Sequence, residues 1–503
     1  MPESAATRII TEANLVTELT EWFGNQFIDV SKAPYNAKFD GVTNDTAAIQ
    51  AALNVGGFIR FPAGTAIIDG DLTVGSYTNV AGMGEGLTKV KIKGGAGWDA
   101  RGFIFKPGTT RSSLRHLTVD GNQPNRILTG GTGGVKGTNV SIVNSTYIHV
   151  EHVASINAVQ HCFDVTTPYY GDAGDGATIP DPSEYVWITD CYADQHGDDG
   201  FTTHGSGKIW FTRCTAMGTW WANLTDYTNA NGFEIDDYSY DVTLTDCHAE
   251  KNAHGFEFKA HGNMSAAQNI RAIGCTALNN QVNYSLRHIG HHTANNGQGV
   301  DYPQSLTAKN VQYIGCTSKF PKRVFFGGAD NPDGDVVVDD QLPSTGTNYS
   351  HLVIGAYRGV TITNFHAISD PTYNYAGSPA IAFHYRCEDI TINGYHIEGH
   401  TTGSWDIQST GGDQPARNVT ITNGVHRDSA PGGISTGSLS NGIIQNVTLN
   451  RAVAGSPNGT GIRVYGNRIV RSNRFVTPYA PNYSVSDTAY AVYETPMATN
   501  VLA

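Results

Sequence analysis

Five short runs of this chain close on a cysteine: VWITDC at Cys191, IWFTRC at Cys214, VTLTDC at Cys247, IRAIGC at Cys275 and VQYIGC at Cys316. Each alternates apolar and polar residues and then turns. The pattern continues as VTITN from Val360, ITING from Ile390, VTITN from Val419 and VTLN from Val447, with starts 30, 29 and 28 residues apart. A period of about 20–50 residues is the signature of a repeat architecture. Strands this short, with no helical pattern between them, argue against βαβ units. The coils must therefore stack, each burying its inward side chains against the next. Such a core grows lengthwise, so 503 residues need not divide into separate globular domains.

The cysteines follow from the same alignment. Cys191, Cys214, Cys247, Cys275 and Cys316 end equivalent strands, so they predict an inward ladder of small, apolar, reduced thiols. A metal–thiolate site needs ligands that converge, and these stack. Gly numbers 58 and only 15% of residues are charged, which suits turn-rich β structure. Lys and Arg form no long runs, so a phosphate-tracking nucleic-acid surface is not expected. No stretch reaches the roughly 18 apolar residues of a membrane span. MPESAATRII lacks the basic start and apolar core of a signal peptide, and the expectation is synthesis in a cytoplasm without ordinary export.

Aligning the coils on cysteine lines up a second strand: DDGFTTH from Asp198, NGFEIDD from Asn231, HGFEFKAH from His254 and NYSLRHIGHH from Asn283. Strand side chains alternate between faces. Phe201, Phe233, Ile235, Phe256 and Phe258 are expected inward. Thr202, His204, Glu234, Asp236, Glu257, Lys259 and His261 then share one outward, solvent-facing lane, with Ser285 and Arg287 continuing it. Neighbouring strands lie about 4.8 Å apart, so Glu234 and Glu257 sit side by side. Two carboxylates so close raise at least one pKa unless a cation intervenes. Charged and imidazole groups, including Asp198, Asp199, Asp237, His288, His291 and His292, crowd these four coils, whereas the others mostly show Thr, Asn and Ser outward. Trp220 and Trp221, in the loop between two of the coils, offer faces for stacking on sugar rings.

Two resemblances add to this reading. The run YNAKFDGVTNDTAAIQ, with Lys38, Asp40, Gly41, Val42, Thr43, Asp45, Thr46, Ala48, Ile49 and Gln50 in place, resembles the entry to the pectate-lyase-like superfamily of right-handed parallel β-helices. Asn36, Phe39 and Asn44 depart from its commonest residues. Residues 190–292 resemble a block found in tail and neck-appendage proteins of phages that attack Gram-positive bacteria. The Asp-Asp then Gly-His-Gly pattern of polygalacturonases is met only in part, by Asp198-Asp199 and a displaced His204-Gly205.

The expected fold is thus all-β, a right-handed single-stranded parallel β-helix over residues 31–470. A short amphipathic helix within residues 1–30 carries Leu15, Leu19, Trp22 and Phe23, for attachment or trimerisation. A Tyr- and Pro-rich segment, 471–503, caps the end. The resemblance implies a homotrimeric virion tail appendage that meets other tail or baseplate proteins and binds and cuts a host envelope polysaccharide or teichoic acid. The favoured chemistry is glycoside hydrolysis by Glu234 and Glu257, with Asp199 and His204 as further catalytic candidates. Lys259, His261, Arg287, Asp236, Asp237, Trp220, Trp221 and His291 are the candidates for substrate binding. That chemistry requires no cofactor. The alternatives are a lyase using Lys259, His204 or Arg287 as base, a non-catalytic receptor-binding spike, and a phosphodiesterase with a divalent metal. Asp198, Asp199, His204, Asp236 and His261 supply ligand types for that metal.

Overall fold

The computed structural model describes residues 27–127, 137–169, 180–219, 230–260, 264–288, 308–328, 331–339, 349–375, 377–409, 416–429, 432–436, 441–451, 460–464, 467–476, 483–485 and 491–493. Its strands form three parallel ladders that wind around one core, as the spacing of the runs predicts. One ladder is a 14-stranded sheet running from Leu72–Val74 to Tyr483–Val485. The other two merge because Thr110–Asp120 and Thr146–Ile156, 11 residues each, run through the corner and pair on both sides of it. This is the right-handed parallel β-helix expected from the repeat.

The corner explains why all but one of these runs end in Asp, Asn or Gly, the exception being Arg213. Asp190, Arg213, Asp246, Gly274, Gly315, Asn364, Gly394, Asn423 and Asn446 all take left-handed φ between 50° and 65°. A short polar side chain, or none, tolerates that region best. One such residue turns the chain sharply and drives the next side chain inward. That next residue is Cys191, Cys214, Cys247, Cys275 or Cys316, and in later coils Phe365, Tyr395 and Val447, all buried. All seven cysteines are buried and unpaired. Burial pushes the Cys162 and Cys387 thiols up to about 12.

The helix Thr46–Leu53 covers the first coil with Ile49, Ala52 and Leu53. Asp45 precedes it without capping it. Its carboxylate instead accepts hydrogen bonds from the backbone N–H of Lys38 (2.7 Å) and Phe39 (2.9 Å), tying down the turn that leads into the helix. A departure from the all-parallel expectation is an antiparallel hairpin, Arg323–Gly328 with Asn331–Asp339, that follows the coil strand Thr317–Lys319. The ladders also continue beyond 470: Arg474–Phe475, Tyr483–Val485 and Ala491–Tyr493 pair in parallel with the preceding coil. The segment expected as a cap therefore begins within the solenoid. The amphipathic stripe of residues 11–26 lies outside the described residues. No helix among the described residues is long and apolar enough to cross a membrane.

Candidate functional site: a buried polar lane

Five strands of the 14-stranded sheet build the site: β1 (Phe163–Thr166), β2 (Phe201–His204), β3 (Asn231–Ile235), β4 (His254–Ala260) and β5 (Val282–His288). Their inward rings, Phe163, Phe201, Phe233, Phe256 and Tyr284, stack nearly parallel with centroids 4.7, 4.8, 4.9 and 5.1 Å apart. The repeated Gly before Phe is a matter of space. A Cβ on Gly200 or Gly232 would lie 2.7 Å from a carbonyl oxygen of the next coil, and one on Gly255 2.6 Å. The Gly-Phe-Glu repeat is thus a close-packed backbone step, an inward ring and an outward acid.

Across this stack the outward register is Asp164↔Thr202↔Glu234↔Glu257↔Ser285, with Lys259↔Arg287 two residues on. Glu234 and Glu257 are adjacent, as the alignment predicts. They do not face solvent. Glu234 is 2% exposed, and Glu257, Lys259, Asp199 and Asp236 are 0%. The lane is a buried polar layer, and its charges must be paired inside the protein.

That pairing revises the expected roles. Lys259 Nζ lies 2.8 Å from Glu234 Oε2 and 3.7 Å from Asp236 Oδ2. Arg287 grips Glu257 with two donors, Nε to Oε1 and Nη2 to Oε2, while Ser285 Oγ donates to Oε1 (3.2 Å). Burial alone would raise the Glu257 carboxyl, but Arg287, His254 and Lys259 hold it well below the usual carboxylate range. Cations flank both acids, so crowding does not leave Glu257 protonated. Of the two roles expected for Glu257, this pairing disfavours the proton donor and leaves the ionised partner. Lys259 and Arg287, expected to bind an anionic polymer, are likewise engaged with carboxylates. Arg287 retains 19% side-chain exposure and His254 16%, so the lane meets solvent there.

A second cluster lies on the N-terminal side of this network. His161 Nε2 is 3.4 Å from both Asp198 Oδ2 and Asp199 Oδ2, and its Nδ1 is 3.8 Å from Asp164 Oδ2. His204 Nδ1 is hydrogen-bonded to Asp164 Oδ1 at 3.0 Å, and its Nε2 is 3.8 Å from Glu234 Oε1. Burial opposes the charge on His161, but Asp164, Asp198 and Asp199 overcome it and raise its pKa well above the ordinary value. The two adjacent acids part company. Burial, Asp198 and Glu234 push Asp199 well up; burial also raises Asp198, but its hydrogen bond and charge attraction to His161 bring it below its ordinary value. Asp164 is brought down to about 2: burial raises it, and His204 and His161 outweigh that. Asp198 Oδ1 and Asp199 Oδ2 are buried without a hydrogen-bond partner.

Asp198, Asp199, His204, Glu234, Asp236, Glu257, Lys259 and Arg287 are thus brought together, with Asp237 buried beside them. Trp220, Trp221, His261, His291 and His292 lie outside the described residues. Sequence reasoning missed His161, Asp164, Asn231 and His254. The first two belong to one coil earlier, where Cys162-Phe163-Asp164 repeats the inward-ring, outward-acid step without its Gly. Asn231 links the clusters: it accepts from His254 Nδ1 at 2.9 Å through its Oδ1, and its Nδ2 donates to Glu234 Oε2. Its backbone N–H donates to Asp199 Oδ1 at 3.2 Å.

Residues 27–257, which include most of this lane, match the family described as rhamnogalacturonase A/epimerase, pectate lyase-like. The pre-neck appendage protein of Bacillus phage phi29 is 31% identical over 433 residues, 83% of this chain and 47% of that protein. The crystal structure of pre-mature phi29 gene product 12 superposes with a TM-score of 0.77 at 27% identity, over 95% of this chain and 60% of that one. This chain is a pectate-lyase-like parallel β-helix, similar to phage pre-neck appendage proteins. A putative phage-related protein, YobO, of Bacillus subtilis (strain 168) is 30% identical over 472 residues, 91% of this chain and 55% of that protein. The chain spans about half the length of the curated relatives it matches.

Proposed function

We propose that this β-helix is the polymer-cleaving body of a phage tail appendage, acting at a bacterial surface, and that the lane from His161 to Arg287 is its active site. The reaction is hydrolysis of a glycosidic bond. What carries this reading is the geometry of two adjacent buried carboxyls beside His161, whose surroundings push Asp199 toward its protonated form and Asp198 toward its ionised form. Environments that push two acids apart assign the proton donor and the base. Asp199 protonates the departing glycosidic oxygen. Asp198, held by His161, takes the proton of the attacking water or attacks itself. Arg287, at the exposed edge, keeps Glu257 ionised where the lane meets solvent. His204, tied to Asp164, holds Glu234 in line. The pectate-lyase-like relationship supports a glycan as the substrate class.

A second reading is favoured by a specific observation. Two triads, His161–Asp198–Asp199 and His204–Glu234–Asp236, each bring one ligand atom per residue within 4.8 Å of the others. Among the described residues the lane's seven carboxyls, Asp164, Asp198, Asp199, Glu234, Asp236, Asp237 and Glu257, outnumber its two fixed cations, Lys259 and Arg287, so the donor set fits a divalent ion. The chemistry would then be metal-assisted cleavage of a teichoic-acid phosphodiester, the ion polarising the phosphoryl oxygen.

The test is incubation of the protein with purified envelope polysaccharides and teichoic acids, with and without chelator, followed by mass spectrometry of fragments. Glycan fragments that survive chelation support the hydrolase. Phosphodiester fragments lost on chelation support the metal reading. Binding without fragments overturns both in favour of a receptor-binding spike.

A further inference from the structure

We infer that a divalent transition-metal site lies away from the lane, on a different strand ladder, formed by His366, His396 and Glu398. The strands His366–Ile368 and His396–Glu398 are neighbours, with His366↔His396 and Ile368↔Glu398 in register. Glu398 is two residues beyond His396, hence on the same face of its strand and diagonal to His366. His366 Nε2 and His396 Nε2 lie 3.8 and 3.9 Å from one atom, Glu398 Oε2. Both nitrogens are shielded from solvent and have no hydrogen-bond partner.

Direct pairing does not account for this geometry. An imidazole that donated to Glu398 would approach within about 3.2 Å. The gap is instead close to what an ion needs: metal–ligand bonds of about 2.0–2.2 Å at tetrahedral angles hold ligands roughly 3.4 Å apart. Two imidazoles and a carboxylate are a known donor set for zinc, with one position left to water. The rings are stacked at 4.7 Å and 6°, so their lone pairs run parallel. Closing on an ion requires each to tilt about χ2, a soft torsion for His. The side chains are 38%, 29% and 36% exposed, which leaves room to tilt and a path for the ion. Arg427, in register with Glu398, is the one cation in register with the carboxylate on the neighbouring coil and opposes binding. Bound here, zinc would staple two successive coils.

The test uses the full chain, stripped by chelator and desalted, then titrated calorimetrically with Zn²⁺. The parent should bind zinc, and the His366→Ala/His396→Ala double variant should bind one equivalent fewer. Glu398→Gln keeps the shape and should weaken that site by more than about tenfold, since even outer-shell changes weaken metal sites roughly 10–100-fold. Asp199→Asn, in the lane, should leave it intact. Because all three ligands are partly exposed, folding of the variants is checked by circular dichroism. A double variant with the parent's stoichiometry and affinity, or a parent that takes up no zinc at millimolar concentration, overturns the site.

Discussion

Lys259→Met tests whether the lane is the buried ion-pair network described. Lys259 is 0% exposed, and its ammonium neutralises Glu234 at 2.8 Å and Asp236 at 3.7 Å. Methionine fills much of the same volume, so packing loss is small. The loss is electrostatic, leaving two buried carboxylates without their cation. Breaking a buried pair from one side costs about 3–5 kcal/mol. In a solenoid this falls on the affected coil and its neighbours. Amide hydrogen exchange therefore reads it better than a global midpoint. At about 1.36 kcal/mol per decade, exchange on strands β3 and β4 should quicken by roughly 10²–10⁴. Strands five coils away, such as Arg417–Thr422, should keep the parent's protection. Adding Glu234→Gln to Lys259→Met removes one orphaned charge and should restore part of the loss. Exchange in β3 and β4 within threefold of the parent would mean that Lys259 does not neutralise these carboxylates.

Phe233→Ala opens a hole in the ring stack and should cost about 3–5 kcal/mol locally, read by the same exchange experiment. Burial holds the His254 imidazole near about 4 against the charge of Glu257, while in the unfolded chain it is near its usual value. The unfolded state thus binds the extra proton between about pH 6.5 and 4, so its contribution is full above that window and is lost as pH falls through it, at about 1.4 kcal/mol per unit. His254→Gln should flatten the acid limb of denaturant-unfolding stability by about one proton. All seven cysteines should resist a thiol reagent in the native protein and react together on unfolding; rapid native labelling of the ladder cysteines would refute the coil alignment. Light scattering should give three times the 53.9 kDa chain mass, and a monomer would remove the trimer.

Much of this was legible because a solenoid writes its geometry into its period. The cysteine runs located the corners, and strand alternation placed Phe233 and Glu234 on opposite faces. Register across neighbours followed from the cysteine alignment together with the Gly-Phe-Glu repeat. Burial was not legible. Outward in a coil means away from the core, and only the structure shows that the outward lane is itself covered. For that reason Glu257 reads from sequence as a catalytic acid, whereas the side chain opposite Lys259, Arg287, locks it as an anion. Asp164 and His161 were missed because their coil replaces Gly with Cys162, so the motif that marks its neighbours is broken there. The His366–His396–Glu398 cluster was invisible as well, because its 30-residue spacing becomes contact only once the coils are stacked.

The most direct test of the active-site assignment is Asp199→Asn. Burial, Asp198 and Glu234 push the Asp199 carboxyl toward its neutral form, which asparagine mimics while keeping the hydrogen bond from Asn231 N–H. Stability should then change by no more than about 0.5–1 kcal/mol, while release of polymer fragments falls by about 10²–10⁴, the usual contribution of a general acid. A variant that folds as the parent does and cuts the polymer at the parent's rate would contradict the assignment of Asp199 and, with it, of the lane's chemistry.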